Sequence, residues 1–448
     1  MTDWPKIKIS ELIKRGAILI HKDGNHGSNY PRVDEFGSTG LPFLTAKSID
    51  NWEIDFANAP RLSEKKANTF RFGFVAGGDV LLSHNATVGR VAVVPKDAET
   101  AVIGTSLTQF RVDTEQIVPD FLAFYFSSRE FQNELSFVMS QTTRNQVPIT
   151  QQRELSIALP PPSIQKRIAN TASALTDKIE LNRKTNETLE AMAQAIFKDW
   201  FVDFGPVRRQ MEGASEPSTI LGGLLPPDAS NAAAIANLFP DRLTDNRLPD
   251  GWEVSKLSDR VEIRRGGSPR PIKDYISTEG YPWTKIADAT AQDSPFLFQT
   301  KERIRPEGLA KTVKLRSGSL ILSNSATPGL PRFLQLEACI HDGWLYFPKI
   351  GKLSQEFLYL FFLHVRKQLV AQGNGSVFTN LKTEIVKNFE FPDAPTAVFA
   401  EFEQLARTLF SKMLATEKES RTLAETRDYL LPRLMNGSIS VRIRETAT

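Results

Sequence analysis

The chain has 448 residues, 41% hydrophobic and 24% charged, enough for two to four domains with cores of their own. A net charge of +3 neither announces a polyanionic partner nor excludes one. The single cysteine, Cys339, excludes an internal disulfide and a cysteine-rich zinc site, which fits a reducing, cytoplasmic setting.

The start, Met1-Thr2-Asp3-Trp4-Pro5-Lys6, is not a signal peptide. Residues 1–160 alternate short strand-like runs with glycine and proline, as at Val80-Leu81-Leu82 and Val91-Ala92-Val93-Val94. The first run leads into Ser83-His84-Asn85-Ala86-Thr87. A polar loop, Gln141-Thr142-Thr143-Arg144-Asn145-Gln146, and a proline stop at Leu159-Pro160-Pro161-Pro162 close the segment. A long helix is predicted over 161–204. Ile168, Ala172, Leu175, Ile179, Asn182, Asn186, Leu189, Ala193, Ile196 and Trp200 alternate spacings of four and three, as a coiled-coil seam requires. Met192, Ile196, Phe197, Trp200, Phe201 and Phe204 make an apolar run too broad for one seam, which reads as a face for a partner. Residues 205–247 are expected to be a linker.

Residues 248–393 repeat the plan. They carry Arg264-Arg265-Gly266-Gly267-Ser268-Pro269-Arg270-Pro271-Ile272-Lys273, then Leu320-Ile321-Leu322 leading into Ser323-Asn324-Ser325-Ala326-Thr327. The run Leu358-Tyr359-Leu360-Phe361-Phe362-Leu363 is far too short to cross a bilayer, so no membrane role is expected. The polar loop Gln372-Gly373-Asn374-Gly375-Ser376 and a stop at Phe391-Pro392 follow. The second helix, 394–437, has the seam Phe402, Ala406, Leu409, Met413, Thr416, Ser420, Leu423, Arg427, Leu430 and Leu434, each 234 residues after its counterpart. Asn436-Gly437 stops it, and 438–448 is a tail.

Five pairs of matching segments keep the same order at offsets of 232 to 248, among them Gly78–Gly89 with Gly318–Gly329. Chance gives one such match, not five, so the architecture is duplicated. The expected fold is α+β: two similar mixed α/β domains in tandem, each followed by a long helix. The helices pair as an antiparallel coiled coil with pseudo-two-fold symmetry, their polar centres, Asn182 and Asn186 against Thr416 and Ser420, meeting to satisfy each other. A helix of about 35 residues spans about 50 Å, more than the roughly 34 Å of a DNA turn.

The chemistry-bearing motifs are mostly missing. No Asn/Asp-Pro-Pro-aromatic loop grips an adenine, and no Gly-x-x-x-x-Gly-Lys-Ser/Thr loop cradles ATP. Asp55 with Glu64-Lys65-Lys66 outlines a nuclease-like set that scattered surface charges also produce. The chain is therefore expected not to be an enzyme and to bind no metal. Its polar loops suit DNA instead. Arg264, Arg265, Arg270 and Lys273 supply electrostatic affinity beside Ser268, with glycines that let the backbone approach phosphate. Ser83, His84, Asn85 and Thr87, and their repeat Ser323, Asn324, Ser325 and Thr327, offer short hydrogen-bonding groups. Gln141, Thr143, Arg144 and Asn145, with Asn374 and Ser376, complete the candidate set. The alternative is a coiled-coil scaffold carrying two recognition domains for something other than DNA.

The segment from Lys178 to Arg183-Lys184, continuing Glu187-Thr188-Leu189-Glu190-Ala191-Met192 to Trp200-Phe201-Val202-Asp203-Phe204-Gly205-Pro206, resembles the central region of type I restriction-modification specificity subunits. Leu238-Phe239-Pro240-Asp241, Leu248-Pro249-Asp250-Gly251-Trp252, Gly266-Gly267-Ser268-Pro269 near Tyr275, Gly78–Ser83 and Leu159–Pro162 before Gln165 are similar to the same family. The resemblance covers nearly the whole chain. It departs at Pro392-Asp393-Ala394-Pro395, where the family has Pro-Pro-X-X-X-Gln. It implies two target-recognition domains, each reading half of a bipartite double-stranded site through the major groove. It also implies helices that set the gap between the halves and dock two modification (methyltransferase) subunits, with restriction (translocase/nuclease) subunits joining the complex. S-adenosylmethionine, ATP and Mg would then belong to those partners, and this chain would hold no cofactor.

Overall fold

A computed structural model describes residues 4–25, 27, 30–50, 52–140, 145–224, 231–372 and 380–439. The chain divides into two compact units, Met1–Leu181 with Glu419–Thr448, and Asn182–Lys418.

Each unit holds the same two sheets. In unit 1, Ile18–Asp23, Leu107–Val112, Val80–Ser83 and Val91–Val93 lie side by side in that order, all antiparallel. In unit 2, Val261–Arg265, Trp344–Ile350, Leu320–Ser323 and Pro331–Leu334 repeat the order, and Phe296–Leu297 adds a parallel edge. The second sheet of unit 1 runs Phe36–Gly37, Arg61–Leu62, Leu41–Leu44, Ala101–Ile103, Phe74–Val75. Unit 2 matches it with Ile276–Ser277, Glu302–Ile304, Tyr281–Thr284, Ala338–Ile340, Val313–Leu315. In both, the third and fourth strands are the parallel pair.

The continuous apolar runs at 80–82 and 320–322 follow from this layering. Val80 and Leu82 face the helical core of unit 1 while Leu81 faces a second cluster with Leu44 and Ile103. Leu320 and Leu322 likewise face the helices of unit 2, and Ile321 packs with Leu334 and Trp344. A strand buried on both faces cannot alternate polar and apolar residues. An arginine braces each copy, from positions two residues apart in the repeat. Arg90 donates to the carbonyls of Ala46 and Ile49, and Arg332 to those of Ala289 and Gln292.

Short strand pairs tie each domain's beginning to its end: Lys6–Lys8 with Ser156–Ala158, and Glu253–Lys256 with Glu390–Asp393. A long helix leaves each end, Pro162–Phe201 and Thr396–Met435, 40 residues apiece and so roughly 60 Å long. Their pairing is antiparallel. In unit 2, Asn182 Nδ2 donates to the Thr416 carbonyl (3.5 Å) and Asn186 Nδ2 to the Met413 carbonyl (3.2 Å). In unit 1, Ile168, Ala169 and Ala172 share a core with Leu431, Leu434 and Met435. Within unit 2 the asparagine amides reach backbone carbonyls of the second helix. The Thr416 hydroxyl is turned to Lys412 O of its own helix.

Two expectations need correction. Residues 205–247 are not a bare linker. They form helices Gly205–Met211, Pro217–Ile220 and Ala232–Ala236, and Val207, Ile220, Leu221, Ile235 and Phe239 enter the core of unit 2. Arg209 grips Asp199 with two hydrogen bonds of 2.9 and 2.7 Å. The apolar run at the end of the first long helix is not an exposed partner face either. Ile196, Phe197, Trp200, Phe201 and Phe204 are 1 to 8% exposed, and only Met192, at 40%, remains on the surface. Phe201 stacks on Phe399 (centroids 5.4 Å, planes 9° apart) and meets Phe357 and Phe402 edge-on. The width that exceeds one seam is used to pack the second helix, the buried helix Gln355–Gln372 and the 205–239 segment together.

Among the described residues no helix is long and apolar enough to cross a membrane.

Phe201→Ala in the isolated chain should cost about 3–5 kcal/mol in urea unfolding, the cost of a large buried aromatic. A loss below about 1 kcal/mol would mean that these rings are not the chain's own core.

Candidate nucleic-acid interface

The turn after the central strand is built identically in both units. Ser83 Oγ donates to the Thr87 carbonyl (2.5 Å) and accepts from Arg90 N (2.8 Å); Ser323 Oγ donates to the Thr327 carbonyl (2.5 Å) and accepts from Leu330 N (2.9 Å). Ala86 (φ 64°) and Ala326 (φ 57°) take the left-handed conformation at the same position. Such a conformation is uncommon for a residue with a Cβ and persists where the surroundings fix it. Ser83 and Ser323, both 0% exposed, therefore hold the turn and are not free to touch DNA, which corrects the expectation for these two. Thr87 is exposed, and Asn85, Ser325 and Thr327 are half-buried, so these four stay at the turn's surface.

Residues 145–147 in unit 1 and Leu381 in unit 2 lie against these turns. Ala86 N donates to Asn145 O, and Val147 N to His84 O; in unit 2, Leu381 N donates to Asn324 O. Asn145, exposed, is thereby placed beside the 83–87 turn. Gln141, Thr143, Arg144, Asn374 and Ser376 lie outside the described residues.

His84 and Asn324 turn inward. Asn324 is 4% exposed, and its Nδ2 donates to Asp342 O (3.2 Å). His84 is 7% exposed and ends a buried polar chain that sequence reading missed. Gln152 Nε2 donates to Val147 O (3.0 Å), which orients the amide, since a carbonyl only accepts. Its Oε1 then accepts from His21 Nε2 (3.2 Å), and its other N–H reaches Thr108 Oγ1 (2.9 Å). The Thr108 hydroxyl is left to donate to His84 Nδ1 (2.8 Å). The four residues come from distant stretches of sequence, and only the sheet brings them together.

The basic loop of unit 2 sits at the same end of its sheet as the 323–327 turn. Arg264 pairs with Glu262, Arg265 Nε donates to Asp342 O (2.5 Å), and Arg270 Nη2 donates to Asp342 Oδ2 (3.2 Å). Ser268 Oγ donates to Asp342 Oδ1 (2.7 Å). The side chains of Arg264, Arg265 and Arg270 remain 57 to 72% exposed, and Lys273 is exposed. Beside them His341 is kept neutral by burial, which lowers its pKa.

The glycines of this loop have a packing role. A Cβ on Gly266 would stand 2.3 Å from His341 O, and on Gly267 2.8 Å from Lys311 O. They let two backbones meet. Unit 1 has the same device: a Cβ on Gly24 would lie 2.1 Å from Gly104 O. Gly24-Asn25 is thus the counterpart of Gly266-Gly267, at an offset of 242 that the repeat already allowed. The nuclease-like outline does not assemble, since Asp55 caps its own turn through Asn58 and Lys66 pairs with Glu35.

Burial depresses the pKa of His21 to about 4, against 6.5 ordinarily, and that of His84 also falls. The unfolded chain takes up a proton near pH 6.5 that the folded chain refuses until about 4, so this stability is present above 6.5 and drains as pH falls toward 4. The expected loss from His21 is roughly 3 kcal/mol across that window. Urea unfolding at pH 7 and near 4.5 checks it: His21→Asn should flatten the dependence, and an unchanged slope would contradict the burial argument.

The family model described as "Type I restriction modification DNA specificity domain" matches residues 1–191 and 249–396. The chain is 28% identical over 407 residues to the HindI specificity subunit of Haemophilus influenzae, covering 81% of this chain and 86% of that protein. It is 22% identical to the MjaIX specificity subunit of Methanocaldococcus jannaschii, covering 98% and 94%. The crystal structure of the type I S subunit from M. genitalium shares the fold, with a TM-score of 0.56 at 12% identity and 96% of each chain covered. With two family domains on two matching units, the chain belongs to the type I restriction-modification DNA specificity family, as a non-catalytic recognition subunit.

Proposed function

We propose that each unit reads one half of a split double-stranded DNA site, and that the complete chain holds two methyltransferase subunits, and restriction subunits with them, on that site. The observation that carries this reading is the duplication itself: one sheet order, one turn and one loop clasp occur twice, with different side chains at the reading edge. Two copies of one reader with different loops suit two half-sites of different sequence. Arg264, Arg265, Arg270 and Lys273 supply phosphate contacts, while Asn85, Thr87, Asn145, Ser325 and Thr327 supply short donors and acceptors for base edges or phosphates. S-adenosylmethionine, ATP and Mg belong to the partners. The scaffold alternative with non-DNA domains gives way, because the matched family is one of DNA specificity domains.

Binding of the full chain to duplex DNA across a salt series tests the reading. The log–log plot should fall steeply, by about 0.9 per phosphate neutralised, and Arg265→Ala or Arg270→Ala should each shallow it by about that amount. Binding that ignores salt would contradict the reading.

A further inference from the structure

Asp342 is an acid in the middle of a proposed polyanion-binding edge. Its Oδ1 is held by Ser268, its Oδ2 lies 3.2 Å from Arg270 Nη2 and 3.8 Å from Arg265 Nη2, and its carbonyl accepts from Arg265 Nε and Asn324 Nδ2. Three segments of unit 2 meet on this residue: the basic loop, the 323–327 turn and the 341–343 turn. Burial pushes its pKa up, but the Ser268 hydroxyl and the two guanidiniums outweigh that and hold it below the usual carboxylate range, so it is ionised at neutral pH. The side chains of Asp342, Arg270 and Arg265 are 35%, 72% and 57% exposed.

Ion pairs this exposed add little to stability. The carboxylate also works against the affinity of the surface it occupies, since a nearby anion repels phosphate. Unit 1 has Thr105 at the equivalent position, between Gly104 and Ser106, and its facing loop carries Asp23 where unit 2 has Arg265, with Arg32 as its described arginine. The acid at this position thus accompanies Arg265 in unit 2, and a neutral threonine stands there in unit 1.

We propose that Asp342 is a specificity-determining residue that occupies the guanidinium positions DNA phosphates would take. The inference rests on the DNA-reading function proposed above. Arbitrary DNA must displace the carboxylate to reach Arg265 and Arg270, and gains only an exchange of one anion for another. A duplex whose base edges also satisfy the neighbouring turn gains the additional contacts and completes the exchange. Because Ser268 keeps the displaced carboxylate close, the penalty falls on every sequence and is offset only at the right one. Discrimination rises at the expense of raw affinity.

The test compares the full-length wild type with Asp342→Asn, Asp342→Glu and Ser268→Ala. Two duplexes are used, one of mixed sequence and one carrying the motif methylated in the host, over a series of salt concentrations. Thermal unfolding verifies the fold of each variant. Asparagine keeps the shape and still accepts from Ser268, so only the charge changes. Asp342→Asn should bind the mixed-sequence duplex roughly five- to tenfold more tightly at low salt, with a slope steeper by about one. The ratio of motif to mixed-sequence affinity should fall by a similar factor. Asp342→Glu should return both quantities toward wild type. Ser268→Ala, which loosens the carboxylate without altering charge, should shift non-specific affinity the same way by a smaller factor, and it decides the matter should Asp342→Asn not fold. Folded variants with unchanged or weaker non-specific binding would overturn the inference while leaving the DNA reading intact. A wild type that binds neither duplex would remove the DNA reading, and the inference with it.

Discussion

Burial of the aromatic cluster around Phe201 organises the second unit. Phe201 lies flat on Phe399, with Phe197, Trp200, Phe357 and Phe402 closing around it. These rings come from the first long helix, the second long helix and the helix Gln355–Gln372. Packing them fixes where three helices meet. The sheet strand Leu320–Ser323 rests on the same core, so the turn that follows it is presented from a rigid base. Unit 1 reaches the same end with different residues: Phe110, Phe126 and Phe131 pack beneath the strand Val80–Ser83. Loops on such a base can differ without disturbing it, which is what a reader of variable sequences requires.

Much of this was legible in sequence because the signals are local. A three-four spacing is a property of one helix, and the helices at 162–201 and 396–435 lie within two or three residues of the predicted bounds. The repeat was legible because the central strand and its turn tolerate few residues. What covers an apolar surface is not local. The breadth of the run from Met192 to Phe204 was plain, but the covering came from residues 205–239 and 355–372, which no periodicity links to it. The broad run therefore resembled a docking face.

The candidate interface divides in the same way. Cations and short polar residues could be found by type, and the basic loop does lie beside the repeated turn. Their roles depended on geometry. Ser83 and Ser323 spend both donor and acceptor inside the turn, while Thr87, four residues on, keeps its side chain outside. Asp342 and the chain from His21 through Gln152 and Thr108 to His84 have no motif, since each is assembled by strands far apart in sequence. The two edges also differ in kind. Unit 1 sets neutral buried imidazoles behind its turn, and unit 2 sets an arginine–aspartate cluster beside its own.

On the function proposed above, one chain supplies both halves of a split specificity. Methylation sequencing of the host genome, with and without this chain, tests it most directly. Adenine methylation should disappear at one bipartite motif when the chain is removed. Replacing the 264–273 loop should alter one half of that motif and leave the other half unchanged. Methylation that persists without the chain, while the methyltransferase is expressed and active, would contradict it.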